Sequence, residues 1–271
     1  MLVNPKLAEK LQSQPKRWKY QIPIALIVAI LLAWSATAIE YRGITERGPM
    51  MALNILKGII NPDTHILFGF HDQSVPYLLI ETLSIAFLGT IIGTILAIPL
   101  SFLSARNVAP RPITAVMNIV IILIRTVPAF VYGLMFIRVT GPGAFAGVMT
   151  MSLTSIGMLT KRNTEVVEDL DKGVIESLDA AGCTRFQKIR YGVLPQLFSN
   201  FISNTIYRFD LNMKDASVLG LVGAGGIGAP LIFNMSLFRW NVVGALLIGL
   251  MIMVLIVEVI STRLRTKLAR G

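Results

Sequence analysis

Five stretches of the chain are apolar enough, and long enough or nearly so, to cross a bilayer: 22–39, 82–105, 112–137, 139–160 and 240–257. The hydrocarbon layer is about 30 Å thick and a helix rises about 1.5 Å per residue, so about 20 residues suffice. Four of these stretches hold no charged side chain, and 112–137 holds only Arg125. A backbone inside lipid must satisfy its own hydrogen bonds, which leaves helices as the natural form of such runs. The chain therefore reads as an all-α membrane protein. A sixth stretch, 191–207, is uncharged but contains Gln196, Ser199, Asn200, Ser203, Asn204 and Thr205, and runs on into Arg208, Asp210, Lys214 and Asp215. Polar residues are tolerated where a span faces a bundle interior or a watery cavity, so this stretch counts as a sixth span.

The distribution of Lys and Arg orients the spans. With six crossings, 17 basic residues share one side: those of the N-terminal tail, Arg106, Arg111, the six of 161–190 and the four of the C-terminal tail. Only Arg42, Arg47, Lys57, Arg138 and Arg239 lie opposite. Both termini are expected in the cytoplasm. The expected layout is a cytoplasmic tail over 1–21, a first span over 22–39, an extracytoplasmic segment over 40–74, a core over 75–261 and a cytoplasmic tail over 262–271. Ala36-Thr37-Ala38 also resembles a signal-peptidase site, and cleavage there would remove one span and keep the others as they are. Within 40–74, Met51, Ile55 and Ile59 recur every four residues, which fits either a short interfacial helix or a loop over the bundle mouth.

Charged residues make up 15% of the chain, against about a quarter in soluble domains. The net charge of +10 does not indicate nucleic acid, because the basic residues are scattered between apolar runs rather than gathered on one face. Cys183 is the only cysteine, and His65 and His71 are too few for a metal site and read as loop residues. No Ser-His-Asp, Cys-His or paired-carboxylate arrangement stands in the spans. No G-x-x-x-x-G-K-[ST] loop is present, so the chain is expected to bind no ATP itself. Gly223, Gly225 and Gly228 match G-x-G-x-x-G, but without a strand–helix context, and 220–230 reads as a tight turn between the last two spans.

The most informative segment is 161–195. Val166, Leu170, Val174 and Leu178 recur every four residues, as in an amphipathic helix. Gly182 is placed to end that helix, Phe186, Ile189 and Val193 restart an apolar face, and Pro195 opens the next span. The pattern predicts two short helices that offer an apolar knob to a partner. Glu176, Gly182, Leu194 and Pro195 together resemble the EAA loop of ABC importer permeases, whose pattern is Glu-Ala-Ala, three residues, Gly, nine residues, Ile, one residue, Leu-Pro. The spacing fits throughout. Ser177 and Leu178 replace the Ala pair, although Ala180 and Ala181 precede the glycine, and Gly192 replaces the Ile. The resemblance implies a six-span type I importer permease in which Glu176, Ala180, Ala181, Gly182, Phe186, Leu194 and Pro195 couple the spans to a separate ATPase dimer.

Further along, Asn200, Asn204, Arg208 and Asn212 form a polar stripe at i, i+4, and Asp210 and Lys214 are placed to pair. A charge in mid-membrane usually pairs or lines a pathway. Arg208 fits both a polar conduit and a structural lock. Arg125, just before Pro128, fits a cavity lining or a cap on carbonyls that the proline frees.

The runs Tyr-Gly-Val-Leu-Pro-Gln at 191–196, Tyr-Arg-Phe-Asp at 207–210, Arg-Thr-Val-Pro at 125–128, Gly-Pro-Gly-Ala-Phe-Ala-Gly-Val at 141–148 and the glycine-rich run at 218–228 are similar to phosphonate importer permeases. That resemblance implies a second copy of this chain, an ATPase dimer carrying ATP and Mg, an extracytoplasmic binding protein and a bacterial cytoplasmic membrane. It implies cargo among phosphonates, phosphite and phosphate. Methionine, a metal ion or a quaternary amine are the alternatives within the class. An ATP-independent secondary transporter is the alternative outside it, and the inverted repeats typical of that class are not found.

Overall fold

The structure, a computed structural model, describes residues 18–38 and 48–270. The tail over 1–17, residues 39–47 with Arg42 and Arg47, and the last residue lie outside the described part. Every described residue in regular structure is helical. The chain divides into two compact units, 1–51 and 52–271. In the first, α1 (Trp18–Ala38) is apolar on all faces, the pattern of a helix whose solvent is lipid. It starts four residues before the expected span.

The remaining elements are α2 (Gly48–Ile60), α3 (Thr64–Phe68), α4 (Val75–Ser104), α5 (Arg111–Thr126), α6 (Ala129–Thr140), α7 (Ala144–Glu168), α8 (Lys172–Ala180), α9 (Arg185–Lys188), a π-helical turn (Ile189–Val193), α10 (Leu194–Leu219), a 3-10 turn (Gly220–Val222), α11 (Gly228–Ser236) and α12 (Trp240–Arg270). By length and apolarity, three of the described helices can cross a membrane, α1, α4 and α12, and a fourth crossing is made if α5 and α6 are one span. Helices α7 and α10 have 25 and 26 residues but fall short on hydropathy, because they carry many polar side chains, several of them buried in the protein.

The core is built on α4, α7 and α10. Gly89 and Gly93, one turn apart on α4, let α7 approach so closely that a Cβ on either would collide with Met151 or Ser155. This is the small-xxx-small contact of membrane helices, where packing replaces the hydrophobic effect as the cohesive force. Ile85 and Ala86 of α4, Met151 of α7, Met213, Ala216 and Leu219 of α10, and Met253 and Val257 of α12 form one buried cluster.

Several expected boundaries move. The run 112–137 is not one continuous helix. Val127 takes the extended conformation that a following proline imposes, α5 ends at Thr126, and α6 leaves at 86°. The run 139–160 gives up its first residues to α6, and α7 then continues to Glu168, well into the stretch expected to be cytoplasmic loop. The tail expected over 262–271 is helical through Arg270, since Arg, Lys and Leu are good helix formers. Residues 48–60 form a helix rather than a loop, with Gly58 buried under Trp240. His65 lies in α3 rather than in a loop, capped by Asp63, whose Oδ1 accepts from the His65 and Ile66 amides. The glycine-rich turn is as tight as expected, with positive φ at Gly223, Gly225 and Gly226, but it is buried against Ala144 and Thr82. It ends sooner than expected, because 228–236 form α11.

Candidate functional site

The polar stripe on α10 packs into a seam against α4 and α7. Asn212 is fully buried, and its amide donates to Thr90 Oγ1 and Ser155 Oγ, each at 2.8 Å. One turn earlier, Arg208 is only 6% exposed. Its guanidinium donates to Ser155 Oγ (3.0 Å), Thr154 Oγ1 (2.8 Å) and Met158 Sδ (3.3 Å), with Asp215 at 4.0 Å. Another turn back, Asn204 donates to Asn163 Oδ1 at 3.0 Å. Ser155 is the node of the seam: it accepts from both Arg208 and Asn212, and its Cβ sits against Gly93. Asn200 stands apart from the stripe; it is exposed and bonds the Gln196 carbonyl of its own helix. Asp210 and Lys214 do pair, at 3.5 Å, and Lys214 also reaches Glu258 at 3.4 Å. Among the described residues, Asn163 Nδ2 and Asn212 Oδ1 in the seam, and Asp210 Oδ1 beside it, have no partner.

Arg125 occupies a different environment. It is exposed at the end of α5, and its stem lies over α7, where a Cβ on Gly157 would come within 3.0 Å of Arg125 Cγ.

The segment 161–195 has the two helices expected, but not the single amphipathic helix over 166–178. The chain turns at 169–171 because Asp171 caps a new helix by accepting from the Gly173 amide at 2.8 Å. Val166 and Leu170 therefore pack inward with Ala105, Val167 and Leu197, and Val193, expected on the apolar knob, joins them. Val174 and Leu178 instead cover Gly192. Gly182 ends α8 with φ of +74°. Its amide bonds the Asp179 carbonyl and the Cys183 amide bonds the Leu178 carbonyl, the paired bonds of a Schellman cap. Thr184 then opens α9 with a capping box: its amide donates to Gln187 Oε1 at 2.8 Å and its hydroxyl accepts from the Gln187 amide at 3.4 Å.

From Arg185 to Leu219 the chain never leaves helical geometry. The π turn takes up the defect at Pro195, which lacks the amide that would bond Tyr191, and the Leu194 amide reaches back five residues to the Ile189 carbonyl. Pro195 thus lies within a continuous rod rather than at its start. The rod is braced to α8 by an ion pair between Lys188 and Asp179 and by the Asp171 amide on Gln196 Oε1 at 3.1 Å. Its tip exposes Phe186, at 69%, beside Ile189 and Tyr191. Glu176, Ala180 and Ala181 are exposed on α8, and Leu194 on the rod. The two departures from the EAA pattern meet here. A Cβ on Gly192 would lie 2.8 Å from Leu178 Cδ1, so the larger residue at 178 fills the room that the smaller one at 192 leaves.

Sequence reasoning missed three features of this region. The Gly89-x-x-x-Gly93 spacing was a readable signal for the α4–α7 contact, and Thr184-x-x-Gln187 for the capping box. The π turn had only Pro195 to announce it.

Residues 89–270 match the family described as binding-protein-dependent transport system inner membrane component. The chain is similar to the phosphite transport system permease protein PtxC of Stutzerimonas stutzeri, 32% identical over 246 residues, which cover 90% of this chain and 87% of that protein. It is also similar to the phosphate-import permease protein PhnE of Mycolicibacterium smegmatis, 40% identical over 155 residues, or 57% of this chain and 29% of that protein. Among solved structures, the fold resembles a chain of the inward-facing MetNI methionine ABC transporter with a TM-score of 0.61 at 18% identity, covering 83% of this chain and 99% of that one.

Proposed function

This chain belongs to the family of binding-protein-dependent transport system inner membrane components, and from that premise we propose that it is the permease subunit of an ATP-driven importer of phosphorus oxyanions. The observation that carries the mechanism is the continuous helical rod from Arg185 to Leu219, braced to α8 and tipped by exposed Phe186. An ATPase that grips this tip moves α10 as a rigid body, and α10 is bonded through Arg208 and Asn212 to α7 and α4. Closure of the ATPase dimer then tilts the three-helix core as one piece, a two-state rigid-body switch. ATP and Mg belong to that partner, and the chain supplies no catalytic residue of its own. Glu176, Ala180, Ala181 and Gly182 shape the face of α8 beside the tip, while Leu194 and Pro195 join the tip to the span.

The complete transporter in this reading holds two copies of the chain, an ATPase dimer and an extracytoplasmic binding protein, with both termini in the cytoplasm. The cargo reading is supported by the 32% identity to a phosphite permease over 90% of the chain. In the seam, Arg208, Asn212 and Asn204 hold helices together, with Asp210 and Lys214 on its flank, while Arg125 faces the pathway.

The test is uptake of labelled phosphite into vesicles holding the permease, its ATPase and its binding protein. The expected result is uptake that requires ATP and all partners, and that phosphonate or phosphate competes for while methionine does not. Competition by methionine alone would discard the cargo and keep the permease, and uptake without ATP would discard both.

A further inference from the structure

Helix α5 has two unlike faces. Ile113, Val116, Val120 and Leu123 are apolar and exposed. Arg111, Thr114, Asn118 and Arg125 lie along one stripe, at i, i+3, i+7 and i+14. With Arg106 and with Lys161 of α7, that stripe lines an open groove of about 660 Å³. Four of its lining residues are cations and none is a carboxylate. Lys161 pairs with Glu165 at 3.3 Å, so one of the four cations already has a partner, and Glu168 accepts from the Arg106 backbone amide at 2.8 Å. Among the described residues, no ion pair engages the Arg106, Arg111 or Arg125 side chains.

Arg125 and Arg111 are 14 positions apart on one helix, about 21 Å along its axis, so the cations are spread along the groove. A cation within an apolar run usually pairs or lines a polar pathway, and guanidinium forks match the tetrahedral oxygens of phosphorus oxyanions.

We infer that this groove binds phosphorus oxyanions, with Arg125 at one end of the α5 stripe, Arg111 at the other, and Arg106 and Lys161 lining the groove beside them. The inference rests on the proposed function for its cargo, and two sources share the chemistry: the transported anion and the headgroup of an anionic lipid.

The test compares the wild-type permease–ATPase complex with an Arg111→Gln/Arg125→Gln double variant. Binding of labelled phosphite is measured in neutral detergent, and ATP-driven uptake in vesicles of phosphatidylcholine with and without phosphatidylglycerol. Any phosphite held by the ATPase is common to both proteins. Loss of charge-assisted bonds is expected to weaken binding about tenfold or more, and to slow uptake in both kinds of vesicle while ATP hydrolysis continues. Arg125→Lys, which keeps the charge, is expected to recover part of the loss. A defect confined to vesicles with phosphatidylglycerol, with bound phosphatidylglycerol lost from the variant, assigns the groove to lipid phosphate. Equal binding and equal uptake by the two proteins overturns the inference. Wild-type binding without uptake keeps the groove and sinks the importer reading; uptake with equal binding does the reverse.

Discussion

Arg125 lies within a stretch that reads as a membrane span and Arg208 just past the uncharged part of another; both touch α7, and their surroundings otherwise differ. Arg208 is buried, with each guanidinium nitrogen bonded to a hydroxyl or thioether of α7 and with Asp215 nearby. Arg125 is exposed, has only its stem seated on α7, and turns toward a groove of other cations. A buried charge bonded through all three of its nitrogens to a neighbouring helix holds the two helices in register, and removing it takes those bonds away. An exposed cation among cations contributes little to the fold and is repelled by its neighbours, which makes it available to an anion. Position in the membrane alone would have assigned the two arginines the same role.

The largest expected effect follows from the buried one. Arg208→Ala removes three bonds from α10 to α7 at a buried position, and is expected to cost about 2–3 kcal/mol, read as a fall in the thermal unfolding midpoint of the purified permease. Arg125→Ala is expected to cost under about 0.5 kcal/mol in the same assay. Equal shifts would erase the contrast. Next, Gly93→Val drives a branched side chain into Ser155 and is expected to destabilise by about 1–3 kcal/mol, while leaving the groove intact. Gly182→Val puts a β-branched residue at φ +74° and is expected to cost about 1–2 kcal/mol, confined to the cap of α8. Its signature is loss of ATP-coupled uptake with the unfolding midpoint of the spans unchanged. The smallest effect concerns the swapped pair. Leu178→Ala is expected to loosen the packing over Gly192, and adding Gly192→Ile to restore it, with a coupling energy of about 1 kcal/mol in a double-mutant cycle. Additive single effects would mean that the two departures from the EAA pattern are unrelated.

The contrast was only half legible in the sequence. Spacing put Asn204, Arg208 and Asn212 on one face and paired Asp210 with Lys214, because helical periodicity fixes neighbours on one element. What that face met depended on Gly89 and Gly93 bringing α7 close, a relation between helices that no single-helix pattern encodes. The cap at Gly182 was readable because a glycine there has one strong local use. The turn at 169–171 was not, since the four-residue apolar period runs straight across it and the local cap at Asp171 overrode that period. Arg125 was recognised as an isolated charge. Its neighbours Arg106 and Lys161 come from other elements, so the groove existed only once the chain was folded.

The division of roles is tested most directly by the rate of phosphite uptake per assembled complex for Arg208→Gln beside Arg125→Gln. The expected pattern is a low yield of Arg208→Gln complexes that each transport well, and a full yield of Arg125→Gln complexes that transport slowly. The reverse pattern, with Arg125→Gln failing to assemble and assembled Arg208→Gln failing to transport, would contradict it.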